Sequence, residues 1–366
     1  MKIECIRERL SEAVTKAEKI TSKNTSLPIL SCILLRAANN SLFINSTNLD
    51  IGIEIKIPAK VEVEGSVAIP GSILNSFLNS ITSEKTVTLD LIEGNLLVST
   101  PKTNTIIKIF PNDDYPIIPK VDMVKSIEMP AESLISGIKS VWYSSATSSI
   151  KPELSSVCVT PEEGLIVFVA TDGLRLAEKT IKLKNLLDFS QVLIPVKNAV
   201  EIIRFFEGVN ENLKIVIEQN QIAISYNDAY LVSRIIEGNF PNYKAIIPKD
   251  FVSEITVLKQ DLLNCFKTSS IFSDVFNHTK FVIHPEEKNI EIITKNNNVG
   301  ESTTTIQGSI TGESLSINFN YKYITDALVS IGSDSLVLSF SGVNKPMIMK
   351  AFGDDSFLYL LMPMNK

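Results

Sequence analysis

The chain repeats one spacing of apolar residues at a fixed interval. Between Pro70 and Ile81 the apolar residues lie at positions 73, 74, 77, 78 and 81, a spacing that places them on one face of an α-helix. The same spacing begins again 125 residues later, after Pro195, and 250 residues later, after Asn320. Proline suits a first helical turn and asparagine suits an N-cap. Three copies at a constant interval predict a triplicated domain.

The segments around these helices predict the same order of elements in each third of the chain, β-α-βββ-α-βββ. The first helix of each third is predicted at 7–20, 131–145 and 259–271, and Glu93-Gly94 is typical of a tight hairpin. Corresponding turns are predicted at Thr47-Asn48, Thr171-Asp172 and Thr294-Lys295. Among the predicted strands are 51–57, 61–69, 103–110, 175–183 and 301–310.

Two helices against antiparallel strands in every third predict an α+β protein made of three tandem domains. The predicted boundaries are 1–124, 125–249 and 250–366. A chain of 366 residues with 44% apolar residues is long enough for three domains, each with its own core.

The cysteines and the lack of targeting or membrane-spanning patterns predict the cellular location. The four cysteines are far apart and have no CxxC spacing, which is typical of reduced thiols rather than of disulfides or a metal site. The amino terminus has no apolar leader pattern, and apolar runs are too short to cross a membrane. We therefore expect a cytoplasmic protein with no membrane partner.

A net charge of −6 by itself argues against a nucleic-acid partner. The charges are unevenly distributed, however: the predicted helices with the loop after the first carry about +3, and the rest of the chain about −9. A solvated helix face would often look the same. If all six helices faced one surface, that surface would attract a polyanion.

Catalytic motifs are missing from the sequence. It contains no phosphate-binding loop, dinucleotide fingerprint, zinc-protease motif or nucleophile elbow. The only histidines, His278 and His284, are expected to be ordinary surface or hydrogen-bonded residues. Thr171-Asp172-Gly173 is better explained as a turn than as a nucleophile with its base. We expect no enzyme and no cofactor. The alternatives are an enzyme with its site between repeats, and a structural or carbohydrate-binding repeat protein.

Four short stretches carry a resemblance to a known family: 27–30 (LPIL), 170–177 (ATDGLRLA), 238–243 (GNFPNY) and 362–364 (MPM). In order and spacing the chain resembles, over its whole length, the bacterial sliding clamp, the β subunit of DNA polymerase III. The resemblance implies a head-to-tail homodimeric ring, with helices lining the hole, that encircles duplex DNA without reading its sequence. It also implies that the ring tethers the replicative DNA polymerase. Further implied partners are the clamp loader, other polymerases, and mismatch-repair or ligase proteins that dock through short peptide motifs.

The resemblance also implies three sets of site residues. The peptide-binding cleft would be formed by Leu154, Thr171, Gly173, Leu174, Arg175, Leu176, Pro241, Ala245, Ile246, Leu360, Met362, Pro363 and Met364. DNA would be contacted by Lys23, Asn24, Ser148 and Lys197, whereas Ser72 and Val196, like Asn24, replace arginines of several family members. The dimer interface would include Ile107, Ile271 and Phe272.

Overall fold

The computed structural model describes residues 1–22, 27–148, 150–183 and 189–364. The first repeat contains β1 (Lys2–Ile6), α1 (Arg7–Ile20), β2 (Cys32–Ala38), β3 (Ser41–Thr47), β4 (Ile51–Val63), β5 (Gly65–Pro70), α2 (Gly71–Ser80), β6 (Thr86–Ile92), β7 (Asn95–Ser99) and β8 (Asn104–Lys108). The second contains β9 (Ile127–Pro130), α3 (Ala131–Val141), β10 (Ser156–Glu162), β11 (Leu165–Thr171), β12 (Arg175–Lys182), β13 (Val192–Pro195), α4 (Val196–Phe206), β14 (Asn212–Ile217), β15 (Gln221–Tyr226) and β16 (Ala229–Arg234). The third contains β17 (Ser253–Leu258), α5 (Lys259–Ser269), β18 (His278–His284), β19 (Asn289–Asn296), β20 (Gly300–Gln307), β21 (Ser309–Gly312), β22 (Leu315–Asn320), α6 (Tyr321–Leu328), β23 (Ser335–Phe340), β24 (Met347–Ala351) and β25 (Asp354–Leu361).

The α+β class and the threefold repetition are confirmed, but the predicted order is one strand short. The second and third repeats have an unpredicted strand immediately before the second helix, β13 and β22, and the corresponding strand of the first repeat is β5, which was predicted as 61–69. Each of these strands pairs antiparallel with the first strand after the first helix of its own repeat, for example Ser156 opposite Pro195. In the second repeat this strand is the short apolar run VLIP, in the third it is the alternating LSINFN, and both end at the helix start.

Two predicted strand boundaries were wrong. Strand β4 continues unbroken through Pro58, because β16 pairs with its first half and β1 with its second half, so that the proline lies between the two ladders. The predicted strand 301–310 is instead two strands in different sheets, separated at Gly308. A Cβ at Gly308 would meet the carbonyl oxygen of Thr256 at 2.7 Å, so glycine allows the close approach.

Two helices end earlier than predicted, α3 at Val141 and α5 at Ser269. Each is followed by a single 3₁₀ turn, at Trp142–Ser144 and Ser270–Phe272. Tighter i→i+3 hydrogen bonds are common at helix ends, where the last carbonyl groups lack an intrahelical partner.

The chain forms two compact units. The first comprises 1–132 and 200–235. Its twelve-stranded sheet has the main strand order β8-β7-β6-β1-β4-β16-β15-β14-β9, with β2, β3 and β5 attached beside β4. Helix α1 buries Leu10, Ala13, Val14 and Ala17, as predicted. Lys16 of the same helix is half-buried, with Nζ 5.4 Å from the ring centre of Phe205.

The second unit comprises 133–199 and 236–366. It contains a nine-stranded sheet, β13-β10-β11-β12-β25-β24-β23-β17-β21, and a four-stranded sheet, β20-β19-β18-β22. A chain of aromatic contacts fills the core of the third repeat, in which Phe281 packs on Phe266 and Phe319, and Phe319 packs on Phe340. These rings are fully buried, so they contribute much of the core's apolar burial.

Two further predictions fail in detail. Ile73 was assigned to the buried face of α2 but is exposed, while Leu74 and Leu78 form the buried face. The predicted turn at Thr294-Lys295 does not exist, because β19 continues to Asn296 and Lys295 pairs with Glu301. Lys295 also forms an ion pair with Glu301 at 3.6 Å. Strand β19 thus continues two residues beyond Thr294, whereas β3 and β11 end at Thr47 and Thr171.

The four cysteines are free and buried. Within the described residues, no helix is both long and apolar enough to cross a membrane. The same part of the chain contains no group of three or more His, Cys, Asp or Glu placed to hold a metal ion.

Candidate functional site

The centre of the predicted cleft is the turn that joins β11 to β12. Thr171 Oγ1 donates to the carbonyl oxygen of Arg175 at 2.7 Å and accepts from the amide of Gly173 at 3.1 Å. Asp172 Oδ1 accepts from the amides of Leu174 and Arg175. Gly173 has φ of +90°, which a residue without Cβ adopts at no steric cost. The turn is therefore fixed by its own side chains, and Leu174 is left exposed at its tip.

The Arg175 guanidinium is fixed by side chains from two parts of the chain, the turn itself and helix α6. Its Nε lies 3.0 Å from Asp172 Oδ2, its Nη1 lies 2.6 Å from Asp326 Oδ2, and its guanidinium stacks 4.1 Å from the ring centre of Tyr323. Burial disfavours the charged guanidinium, but Tyr359 and the two carboxylates outweigh it and raise the pKa of Arg175. With only 11% of its side chain exposed, Arg175 fixes the wall of the cleft more than it offers a free charge.

Beside the turn lies an apolar cluster that we call the cleft floor. It consists of Cys158, Val167, Val169, Leu176, Leu193, Ile348 and Leu360, with Ile236, Phe240, Tyr243, Ile247, Leu358 and Met362 packed against it. Thus three of the thirteen predicted residues, Leu176, Leu360 and Met362, meet in one cluster. Met362 is fixed there because its amide donates to the carbonyl oxygen of Leu174 at 2.9 Å.

The other predicted cleft residues lie at the edges of this floor or near it in the chain. Pro241 and Ala245 are exposed and flank Tyr243, whose hydroxyl donates to Glu178 at 2.6 Å. Ile246 is exposed, and its neighbour Ile247 is the one that packs on the floor. Pro363 and Met364 are half-buried at the end of the described chain.

Leu154 is half-buried, and its carbonyl oxygen accepts from the amide of Ala146 at 2.8 Å. The described contacts of Leu154 do not include the floor cluster. A cavity of about 390 Å³ shares Ile247, Ile348 and Leu358 with the cleft floor and has Phe251 and Phe352 on its wall.

The sequence prediction missed Asp326 and Tyr323, which position Arg175, because the residues are about 150 positions apart and no local pattern joins them. It also missed Ile247. A signal was available for that residue, since Ile-Ile-Pro-Lys occurs at both 117–120 and 246–249.

Two of the predicted DNA-contacting residues, Lys23 and Asn24, lie outside the described residues. Lys197 is exposed in the first turn of α4, and Ser148 is exposed, its Oγ accepting from the amide of Ile150 at 3.4 Å. The six helices contain ten Lys or Arg and seven Asp or Glu, a net charge of +3, whereas the rest of the chain carries −9. The uneven distribution of charge therefore holds for the helices as they are observed.

Of the predicted interface residues, Ile107 lies on the edge strand β8, whereas Ile271 and Phe272 lie in the 3₁₀ turn Ser270–Phe272, with Phe272 beside the edge strand β20. Within the described residues, β8 pairs only with β7, and β20 pairs only with β19. Ile107 lies in β8 with its side chain buried. Ile271 is exposed, and Phe272 is half-buried with its ring about 3.6 Å from where a Cβ of Gly300, the first residue of β20, would lie.

Comparison with known proteins agrees with this architecture. Family models of the DNA polymerase III β subunit match all three repeats: the N-terminal domain at residues 1–119, the central domain at 128–242 and the C-terminal domain at 244–365. A "Beta sliding clamp" of Synechocystis sp. is 26% identical, with 100% of this chain and 99% of the relative covered. The protein of the same name from Staphylococcus aureus is 24% identical over 95% of this chain and 94% of the relative.

Solved structures show the same fold. The DNA polymerase sliding clamp of Bacillus subtilis superimposes with a TM-score of 0.94 at 26% identity, covering 100% of this chain and 99% of that one. The β subunit of Thermotoga maritima does so with a TM-score of 0.93 at 23% identity, over 100% and 99%. The chain is thus built as three tandem clamp domains. It belongs to the family of the DNA polymerase III β subunit, the bacterial sliding clamps.

Proposed function

We propose that this protein is a non-enzymatic sliding clamp, a head-to-tail homodimeric ring that encircles duplex DNA and tethers the replicative DNA polymerase. The observation that supports it best is a strand joint that occurs twice inside the chain. Strand β4 of the first repeat pairs with β16, the last strand of the second, and β12 of the second repeat pairs with β25, the last strand of the third. The third joint would need β20 of one chain and β8 of another.

Among the strands equivalent to those of the two internal joints, β20 and β8 are the two without a second partner in the described chain. Each is the counterpart of a strand used in the internal joints, and each lies at a sheet edge in the described chain. Exposed strand edges pair readily with another chain. Because the two edges are different surfaces of one chain, the contact is heterologous and has to close into a ring or continue as a filament. We propose closure after two chains.

The internal joints also define the register of this contact. Ile3, Ile127 and Ile255 are equivalent residues of the three repeats. When the paired residues are counted strand by strand from each of them, Ile106 of the first repeat corresponds to Val232 of the second and Leu360 of the third. In the internal joints Val232 lies opposite Gly52, and Leu360 lies opposite Leu176. The residue of the third repeat that corresponds to Gly52 and Leu176 is Glu301.

The same register therefore places Ile106 opposite Glu301, and Ile107 opposite Gly300. Ile107 would then come close to Phe272 of the other chain, because Phe272 packs beside Gly300. This agrees with the assignment of Ile107, Ile271 and Phe272 to the interface.

The DNA-binding role rests on charge rather than on base recognition. Helices with a net charge of +3 in a chain of −6 provide weak phosphate attraction, and phosphate contacts carry no sequence information. We propose Lys197 and Ser148, together with Lys23 and Asn24, as backbone contacts. Weak contacts allow sliding, and ring closure provides retention. A role on DNA inside bacteria also fits the predicted cytoplasmic location.

We propose the thirteen cleft residues as the docking site for short peptide motifs of the polymerase catalytic subunit, the clamp loader, other polymerases, and mismatch-repair or ligase proteins. The cleft floor has an exposed apolar rim at Leu174 and Ile246. Burying one peptide Leu or Phe there would contribute roughly 1.5–3 kcal/mol. Two or three such side chains would give exchangeable rather than permanent binding. We retain the domain boundaries 1–124, 125–249 and 250–366, and no cofactor is part of the proposal.

The test is retention on DNA of defined topology. The protein is loaded onto a nicked circular plasmid by a clamp loader and passed through a gel-filtration column in high salt. We expect coelution with the circle, and release once a restriction enzyme linearises it. Release from both forms alike, or equal retention on both, would contradict encirclement. Retention on neither form but tight binding to a glycan would favour the carbohydrate-binding alternative.

A further inference from the structure

The first compact unit contains a cavity of about 260 Å³ that none of the proposed roles uses. It opens between the turn that joins β3 to β4, the segment 116–119, and the end of β16. Its volume lies just below the range of roughly 300–1,000 Å³ that holds drug-sized ligands. A cavity of this size suits one or two side chains of a peptide rather than a whole organic ligand.

The turn at this cavity has the same hydrogen bonds as the turn at the proposed peptide cleft. Thr47 Oγ1 donates to the carbonyl oxygen of Ile51 at 2.9 Å, as Thr171 Oγ1 does to that of Arg175 at 2.7 Å. The amide two residues after the threonine donates back to its hydroxyl at 3.1 Å in both turns. The two turns are therefore copies of one structure.

The strand that closes each turn is also the same. The amide of Arg234 donates to the carbonyl oxygen of Asp50 at 2.8 Å, and that of Met362 donates to Leu174 at 2.9 Å. Arg234 thus occupies the place of Met362 in the proposed cleft. The third wall is repeated as well, because Ile118 packs on Val232 in the first unit as Ile247 packs on the cleft floor in the second.

The third repeat has no such turn. In the ladder register Lys295, opposite Glu301, rather than Thr294 corresponds to Thr47, opposite Gly52, and to Thr171, opposite Leu176, and Lys295 continues the strand. The turn at this cavity is thus one of two copies, each next to an internal strand joint. The comparison with the second copy rests on the proposed peptide cleft, but the cavity and its lining are observed independently of it.

An exposed apolar rim surrounds this cavity. Ile117 is 93% exposed and Leu49 is 46% exposed. Leu49 also has φ of +78°, a left-handed conformation that costs a residue with a Cβ about 1–2 kcal/mol. Its counterpart in the other turn is Gly173, which adopts φ of +90° freely. A leucine kept in a strained and exposed position is typical of a binding surface.

The charge at the cavity defines the class of ligand. Arg234 lines it together with Asn220, and no ion pair of Arg234 is found among the described residues. Gln221 also lines the cavity, but its side-chain amide already donates to Glu218 at 2.6 Å. A guanidinium and a side-chain amide suit a carboxylate. Asp50 also lines the cavity and is adjacent to Arg234, because its carbonyl oxygen accepts from the amide of Arg234 at 2.8 Å. An incoming carboxylate would therefore approach the guanidinium from the side away from Asp50.

We propose that this cavity is a second peptide-docking site, which takes a short extended segment with an apolar side chain beside a carboxylate. The apolar side chain would lie between Leu49 and Ile117, and the carboxylate would pair with Arg234. The site differs from the proposed cleft in having a cation where the cleft has methionine. It would therefore select acidic motifs that the cleft does not favour.

The test uses the full-length protein and acetyl-Gly-Leu-Asp-Gly-amide in which the leucine is a photoreactive diazirine analogue. After irradiation, tryptic mass spectrometry locates the labelled residues. We expect labelling near Leu49 and Ile117, lowered about tenfold by Arg234→Gln, since that variant cannot form the charge-assisted hydrogen bond. Lys56→Gln is the control, because it removes a positive charge from the same β-sheet at a position outside the cavity. It should leave labelling unchanged. A peptide with Asn in place of Asp should label as weakly as the Arg234→Gln variant.

Deleting residues 362–366 removes the proposed cleft wall but not this cavity. Labelling near Leu49 and Ile117 should survive that deletion. Its disappearance, or equal labelling with Arg234→Gln, would overturn the second site. Labelling confined to the cleft would also overturn it while leaving the proposed clamp function intact. Retention on circular DNA, measured separately, decides that function.

Discussion

Replacing Phe272 by alanine should weaken the proposed dimer far more than it weakens the fold. A fully buried phenylalanine loses roughly 3–5 kcal/mol on truncation to alanine. Because Phe272 is half-buried within one chain, we assign about half of that loss, roughly 1.5–2.5 kcal/mol, to association at each joint. A two-chain ring has two identical joints. The total of roughly 3–5 kcal/mol raises the dimer Kd by about two to three and a half orders of magnitude.

Sedimentation velocity over a dilution series measures this Kd directly. Phe352→Ala is the matched control, because Phe352 is an exposed phenylalanine in the turn between β24 and β25, away from β20 in the sheet order. A urea melt of each variant separates loss of folding from loss of association. A dimer Kd that stays within threefold of the parent value, with both variants folded, would refute the reasoning.

Three further predictions test other parts of the account. Deleting residues 362–366 should abolish binding of a leucine- and phenylalanine-containing polymerase peptide in a fluorescence titration while the sedimenting dimer remains, since it removes Met362 from the cleft floor; retained peptide affinity would count against the cleft. Lys197→Ala should lower the slope of log K against log salt for duplex DNA by about 0.9 for each phosphate that the lysine neutralises, whereas Lys214→Ala, an exposed lysine of β14 outside the proposed joint, should not; an unchanged slope would remove Lys197 from the DNA surface. Gly137→Ala should destabilise the second unit by about 1–3 kcal/mol in a denaturant melt, because its Cβ would overlap the ring of Phe168 and this outweighs the gain of about 1 kcal/mol in helix propensity; a stabilised variant would show that the ring moves aside freely.

Local patterns predicted the positions of the helices well and the ends of the strands poorly. Helix α1 was predicted at its observed bounds because apolar spacing and a polar outer face coincide over four turns. The division between β20 and β21 was missed, since it depends on the close approach of Thr256 to Gly308 across two strands. The repeat of Thr47 and Thr171 at Thr294 was also misleading. Whether a threonine begins a turn depends on what the next strand pairs with, and here Lys295 pairs with Glu301.

The candidate site was predictable only as far as the repeat and the resemblance extend. They placed Leu176, Leu360 and Met362 together, and the structure joins these residues in one cluster. They did not indicate that Arg175 is already bound by Asp172 and Asp326, because the second ion pair crosses the fold. The cavity beside Leu49 was missed for a different reason. Its walls come from three segments far apart in the chain, and only the fold brings Arg234 next to the turn at Thr47.

The open joint itself can be probed by engineered cysteines. The register places Ile106 opposite Glu301, and both residues are exposed within one chain. Directly opposite residues of an antiparallel pair have Cα atoms roughly 4.5–5.5 Å apart, within the range that a disulfide spans. The native thiols should not interfere, because burial raises the pKa of Cys5 to about 12 and that of Cys158 to about 11.

The most direct test of the ring is therefore oxidation of the variant with both Ile106→Cys and Glu301→Cys, followed by denaturing electrophoresis and intact mass measurement. We predict a covalent species of two chains with two intermolecular disulfides and no longer products. The control with Ile106→Cys and Ser302→Cys should cross-link poorly, because a shift by one residue turns the second thiol to the other face of the sheet. A ladder of open polymers, or more efficient cross-linking of the control, would contradict the closed head-to-tail dimer.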